Sequence, residues 1–155
     1  MNTAALAKPQ DMIVQSDLLG AIEVTEDDII DFPAGLFGFP ECRSFILLPA
    51  ARDGVYWLQS IEHGALAFLL ADPFQYFDGY SVELPMADRK DLQVTTQSEI
   101  IVLAIVTLPR SREEMPTANL QGPLAINLVS RRGKQLAIGE SEHGIRCPIS
   151  LAPVA

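Results

Sequence analysis

The longest apolar run in the chain occupies residues 100–108, with Thr107 as its only polar member. A helix that crosses a bilayer needs about 20 consecutive apolar residues, so this run is too short to be one. It is rich in Ile and Val, which pack well on a pleated surface. It therefore reads as a strand covered on both faces. All other apolar runs are shorter and end at turn formers. The 155 residues include 11 prolines and 10 glycines, a composition that suits many tight turns.

Those runs set the expected elements. Residues 12–15 and 21–24 flank a turn around Asp17 and read as an early hairpin. Residues 29–32 form a strand stopped by Pro33. Runs 44–48, 55–60 and 66–71 are separated by Pro49, by Asp53-Gly54 and by His63-Gly64. Residues 80–84 read as a further strand. Runs 124–129 and 134–138 flank Ser130-Arg131-Arg132-Gly133, a hairpin signal. Helical pieces are few. Residues 73–77 suit one turn capped by Asp72, and residues 85–92 suit another short helix that opens on proline. Ser111-Arg112-Glu113-Glu114 can start one more turn, which Pro116 limits. The expected fold class is all-β and mainly antiparallel: a small β-barrel-like single domain with one or two short helical segments. Its expected bounds are 11–150, with tails at 1–10 and 151–155.

Cys42 and Cys147 lie far apart and match neither a disulfide framework nor a zinc spacing. They read as reduced thiols, and residues 1–10 lack a signal-peptide core. The expectation is a soluble, cytoplasmic protein with no membrane association. The formal charge is −9, and it is unevenly placed. Residues 1–88 hold three bases (Lys8, Arg43, Arg52) against 14 acids, whereas residues 89–155 hold eight bases against six acids. Direct nucleic-acid binding is disfavoured, because phosphate contacts need clustered Lys and Arg. An acidic surface instead speeds encounters with basic partners.

Several groupings suggest chemistry and then fail on pattern. Ser60, His63 and Asp72 are close in sequence, yet Ser60 lacks the glycines of a nucleophile elbow. Glu140, Glu142 and His143 match no strong metal signature. Glu26-Asp27-Asp28 lacks the alternating spacing of a calcium loop. Arg131, Arg132 and Lys134 are too few to form a nucleic-acid site. No dinucleotide or Walker motif occurs. No catalytic residue, cofactor or metal is expected. Phe32, Phe37, Phe39, Tyr56, Trp57, Phe74, Tyr76, Phe77 and Tyr80 all precede residue 81, in the acidic part of the chain. Tyr56 and Trp57 are neighbours and cannot both face inward on one strand, so one points away from the core.

Five segments, in order, resemble the flagellar assembly factor FliW family. They are Phe32-Pro33-Ala34-Gly35-Leu36-Phe37-Gly38-Phe39; Tyr56-Trp57-Leu58-Gln59-Ser60; residues 66–74 followed by Tyr80; residues 117–127, with Asn119 and Asn127; and Gly133-Lys134-Gln135 with Ile145-Arg146-Cys147-Pro148-Ile149. Phe37 stands where the family usually has proline, and His143-Gly144 where an aromatic is common. The resemblance implies a compact β-barrel-like fold, no enzymatic activity and two protein partners. One is CsrA, an RNA-binding translational regulator; the other is flagellin. Flagellin retained in the cell occupies the family protein; after export, the freed protein sequesters CsrA, non-competitively with RNA, and flagellin synthesis resumes. Glu26, Asp27, Asp28, Glu62 and Asp72 are the expected charged contacts, with Tyr56, Trp57 and Gln59 beside them. Phe32, Pro33, Gly35, Leu36, Gly38, Phe39, Asn119 and Asn127 are expected to be architectural. The protein is expected to be a monomer on its own. Two other readings stand beside this one: a small β-barrel that binds a small ligand or hydrolyses one with Ser60 and His63, and a flagellin export chaperone without a regulatory role.

Overall fold

The structure is a computed structural model that describes residues 12–138 and 144–151. The strands are β1 (Met12–Ser16), β2 (Gly20–Val24), β3 (Ile29–Asp31), β4 (Ser44–Pro49), β5 (Val55–Ser60) and β6 (Ala67–Ala71), then β7 (Ile100–Thr107), β8 (Thr117–Ala118), β9 (Leu124–Asn127), β10 (Arg132–Gln135) and β11 (Cys147–Pro148). Two short helices, α1 (Pro73–Tyr76) and α2 (Met86–Asp91), lie between β6 and β7. Seven strands close a barrel in the order β7–β6–β5–β4–β3–β10–β9, and β9 pairs back onto β7. All of these pairings are antiparallel except β10 with β3. The all-β barrel with two short helices is therefore the architecture present.

Alternation along each strand fills the barrel. Ile30, Phe32, Phe45, Leu58, Leu70, Leu103, Leu124 and Ile126 meet inside and are at most 2% exposed. Phe32 meets Phe45 edge to face with centroids 5.3 Å apart, a favoured aromatic geometry. The opposite faces are covered in three places. The β1–β2 hairpin puts Val14 and Val24 on Ile46. Tyr80, Leu120 and Ile149 cover Ala71, Ala104 and Val106. Leu92 and Leu136 cover Ala125. This double coverage is why β7 reads as a continuous apolar run rather than an alternating one.

Three local expectations need correction. Residues 80–84 are extended and partly alternate in burial, but they belong to no strand. This segment crosses the outside of the barrel, anchored by Tyr80, whose hydroxyl donates to the Leu120 carbonyl at 2.9 Å. The last hairpin turns two residues earlier than expected, at 128–131. Asn127 Oδ1 accepts from the Val129 and Ser130 N–H groups, and Arg131 takes the left-handed φ of 60°. Gly133 is consequently a strand residue rather than a turn residue. A Cβ there would lie 2.4 Å from Cζ of Phe32, so the glycine makes room for the ring. Residues 111–114 form a bend and turn with no helix. The tail at 1–10, residues 152–155 of the expected tail at 151–155 and the Glu140, Glu142, His143 cluster lie outside the described residues; Leu151, first in that expected tail, packs against the Tyr80–Ile149 cluster.

Candidate functional site: an acidic surface and an apolar window

The five candidate acids do not converge. Glu26, Asp27 and Asp28 form a 3-10 turn ahead of β3, and all three are exposed. Asp28 is partly engaged, since Oδ2 accepts the Thr25 N–H at 2.8 Å. Glu62 is exposed at the Ser60 end of β5, where its carboxylate accepts from Ser44 N at 2.9 Å and Arg43 N at 3.2 Å. Asp72 lies at the opposite end of the barrel, beyond the Val55↔Ala71 pair. Its Oδ1 accepts the Phe74 N–H at 2.9 Å and caps α1. At ~3.3 Å per residue the length of β5 holds Glu62 and Asp72 roughly 16 Å or more apart. Three of the five thus organise backbone, and the carboxylates of Glu26 and Asp27 make no hydrogen bond among the described residues. Among those residues, no group of acids, histidines or cysteines could hold a metal.

β5 separates its side chains by face. Tyr56, Leu58 and Ser60 point inward, with Tyr56 half-buried against the interior cluster. Trp57 points outward and is also half-buried. Its direct cross-strand neighbours are Leu48 on β4 and Leu69 on β6, both half-buried. Leu108, just past the end of β7, is 55% exposed. Leu48 borders the hairpin cover and Leu69 the Tyr80–Ile149 cover, so Trp57 and these two leucines form a half-buried apolar window on the outside of the barrel. Sequence reasoning found Trp57 but missed Leu48, Leu69 and Leu108. Leu48 and Leu69 become its neighbours only through strand register, which no local pattern states.

Gln59, on the same face as Trp57, is corrected from a contact to a buried tie. It is fully buried under the hairpin. Its Oε1 accepts from Ser16 Oγ at 2.6 Å, and its Nε2 reaches the carbonyls of Ser60, Gly64 and Leu66 at 3.0–3.3 Å. The amide thus fastens the hairpin and the β5–β6 turn to the barrel. The Ser60 set forms no triad. Ser60 is fully buried, its Oγ accepts the main-chain N–H of His63 at 3.0 Å, and Asp72 is at the far end of the strand.

The segment 32–39 closes the barrel at the Ser60 end. Phe32 and Leu36 are buried, while Phe37 is 58% exposed. Pro33 follows Phe32 directly and breaks the strand. Gly35 has φ +68°, and a Cβ there would lie 2.6 Å from the Phe39 and Pro40 carbonyl oxygens. No other residue fits without moving backbone. Gly38, φ +86°, lets Leu36 and Phe39 exchange N–H···O bonds of 3.1 and 2.7 Å. Phe39 meets Phe68 edge to face at 5.4 Å. The Phe37 N–H donates to Gln135 Oε1 at 2.7 Å, and Gln135 Nε2 donates to the Gly122 carbonyl. A proline at 37 could not make that first bond. Asn119 Oδ1 accepts from Gln121 N and Gly122 N, and Asn127 Nδ2 donates to the Leu92 carbonyl. Both asparagines therefore satisfy turn backbone.

Three titratable side chains are tuned by their surroundings. Lys134 bridges Asp88 and Asp91 of α2 at 2.5 and 2.6 Å, and hydrogen bonds to these carboxylates hold its pKa above the usual value. Burial, with a smaller contribution from Cys147, pushes the Tyr80 hydroxyl up to about 12. Burial also raises Cys42, which leaves it an unreactive thiol. No helix among the described residues is long and apolar enough to cross a membrane.

Residues 13–149 match the family model described as FliW protein. A flagellar assembly factor FliW of Natranaerobius thermophilus is 35% identical over 139 residues, covering 89% of this chain and 92% of that one. The flagellar assembly factor FliW of Syntrophomonas wolfei is 39% identical over 140 residues, covering 89% and 88%. A crystal structure of the flagellar assembly factor FliW superposes with a TM-score of 0.81 at 32% identity, covering 88% of this chain and 96% of that chain.

Proposed function

The chain belongs to the FliW family of flagellar assembly factors, and from that premise we propose that it acts by binding two proteins in turn. It sequesters CsrA, and flagellin displaces CsrA from it, so that flagellin synthesis follows flagellin export. The protein acts in the cytoplasm, without catalysis and without a cofactor. The observation that carries this reading is charge: residues 1–88 hold 14 acids against three bases, and Glu26, Asp27, Asp28 and Glu62 are exposed. A regulator that binds RNA must carry basic residues for phosphate. Such a partner is steered towards an acidic surface. The Trp57 window supplies the complementary apolar area, since tryptophan is enriched among residues that dominate interface energies.

The proposed mode is non-competitive: bound CsrA retains an accessible RNA site but has lower affinity for RNA. Coupling of this kind is typically about 1–3 kcal/mol. Gel-shift titration of a flagellin messenger leader with CsrA tests it. At saturating amounts of this protein, RNA affinity is expected to fall to a plateau set by the coupling. A loss that excess RNA fully reverses, with no plateau, contradicts the non-competitive mode. Unchanged RNA affinity contradicts the regulatory reading.

A further inference from the structure

The ladder between β6 and β7 ends at Ala71↔Ala104. Continued pairing would place Pro73 opposite Val102, and proline has no N–H to donate. The chain turns there into α1. The first half of β7 is therefore bonded on one side only. The Leu128 N–H donates to the Glu99 carbonyl at 2.8 Å, which sets the alternation of the β7–β9 ladder. By that alternation, the main-chain groups of residues 101 and 103 point to β9, and those of Ile100 and Val102 point away from it. These outward N–H and C=O groups have no ladder partner.

Ile100 and Val102 also line a groove of about 600 Å³, within the range that binding sites occupy. Val82, Leu84 and Val94 complete its apolar lining. Glu83 and Arg89 supply its charge, and Lys90 is exposed beside Arg89. Both carboxylates of α2, Asp88 and Asp91, are occupied by Lys134. Arg89 lines the groove, where its Nε donates to the Leu84 carbonyl at 3.0 Å; Lys90 lies with it on an adjoining depression, and neither cation has an acidic ion-pair partner among the described residues.

We propose that this groove takes an extended peptide of a partner protein, which adds as a strand along Ile100 and Val102, places apolar side chains on Val82, Leu84 and Val94, and sets a carboxylate against Arg89 and Lys90. An open strand edge is a template for such pairing, and strand addition draws affinity from main-chain bonds and specificity from side-chain pockets. The occupant is acidic, whereas the CsrA reading calls for a basic one, so the groove serves a different contact. Tyr80, Leu120 and Ile149 lie over the outer face between β6 and β8, which separates the groove from the Trp57 window.

The probe is a fluorescein-labelled hexapeptide that alternates valine and threonine and ends in glutamate, followed by anisotropy on the full-length protein. Saturable binding is expected, with shifts of the Ile100 and Val102 amide resonances. N-methylation of alternate peptide nitrogens is expected to weaken binding about tenfold or more, since it removes main-chain donors. Replacing the glutamate by lysine, or making Arg89→Glu with Lys90→Glu in the protein, is expected to weaken it severalfold. Equal binding of the N-methylated peptide overturns the proposal, as does binding without shifts at Ile100 and Val102. Concentration-dependent shifts at these amides in the protein alone would assign the groove to a second copy of the chain and overturn it as well.

Discussion

At the scale of single residues, two buried contacts make the strongest demands. Gly133 sits where any Cβ would run into the Phe32 ring. Gly133→Ala is expected to lower stability by about 1–3 kcal/mol, the usual cost of overpacking a core, read as a lower urea midpoint at unchanged slope. Tyr80 is buried and its hydroxyl titrates near 12 rather than 10.0. The unfolded chain releases that proton first, so stability falls as pH rises from 10 towards 12. Tyr80→Phe is expected to flatten that loss while costing about 1 kcal/mol at neutral pH for the bond to Leu120. Ultraviolet titration of tyrosinate, paired with unfolding at pH 9 and 11, measures both. Residue identity made some roles legible in advance: Asp72 before Pro73 signalled a cap, and the glycines around Leu36 signalled a turn. Gln59 was not legible that way. Its partners come from β1, β5 and the β5–β6 turn, and an amide in an alternating strand looks the same whether it faces solvent or a covering hairpin.

At the scale of elements, the chain's punctuation located the strands well because Pro, Gly and Asp interrupt apolar runs for steric reasons that hold in any context. It misplaced elements where tertiary partners decide. Residues 80–84 have strand-like alternation but pair with no neighbouring strand, so they remain a strap. The last hairpin was displaced because Arg131, rather than Gly133, takes the left-handed position, and Asn127 supplies the turn's acceptor. The Trp57 window and the β7 groove were illegible for the same reason: both are made by strands adjacent in the barrel rather than in sequence. The β1–β2 hairpin is a separate two-stranded sheet, tied on by Ser16 to Gln59, by Asp17 N to the Gly64 carbonyl, and by a small apolar cluster. Such a unit opens more cheaply than a closed barrel. Amides of β1 and β2 are expected to exchange at least tenfold faster than those of Leu103 and Ile105 in β7. Equal protection would mean that hairpin and barrel unfold as one unit.

At the scale of the whole molecule, barrel closure hides most strand edges and leaves function to the outer faces. The acids are spread over both ends, which suits long-range steering better than a single charged pocket. Reversing Glu26 and Asp27 to lysine is expected to slow CsrA association severalfold at low salt while dissociation changes less. An unchanged association rate would remove charge steering from the account. The central claim is that one protein holds CsrA or flagellin, but not both. The most direct measurement is calorimetric titration of this protein with CsrA from the same cell, repeated after flagellin has been added. Tight binding in the first titration and none in the second is the expected result. No heat with CsrA in either, or full CsrA binding in the presence of bound flagellin, would contradict the partner switch.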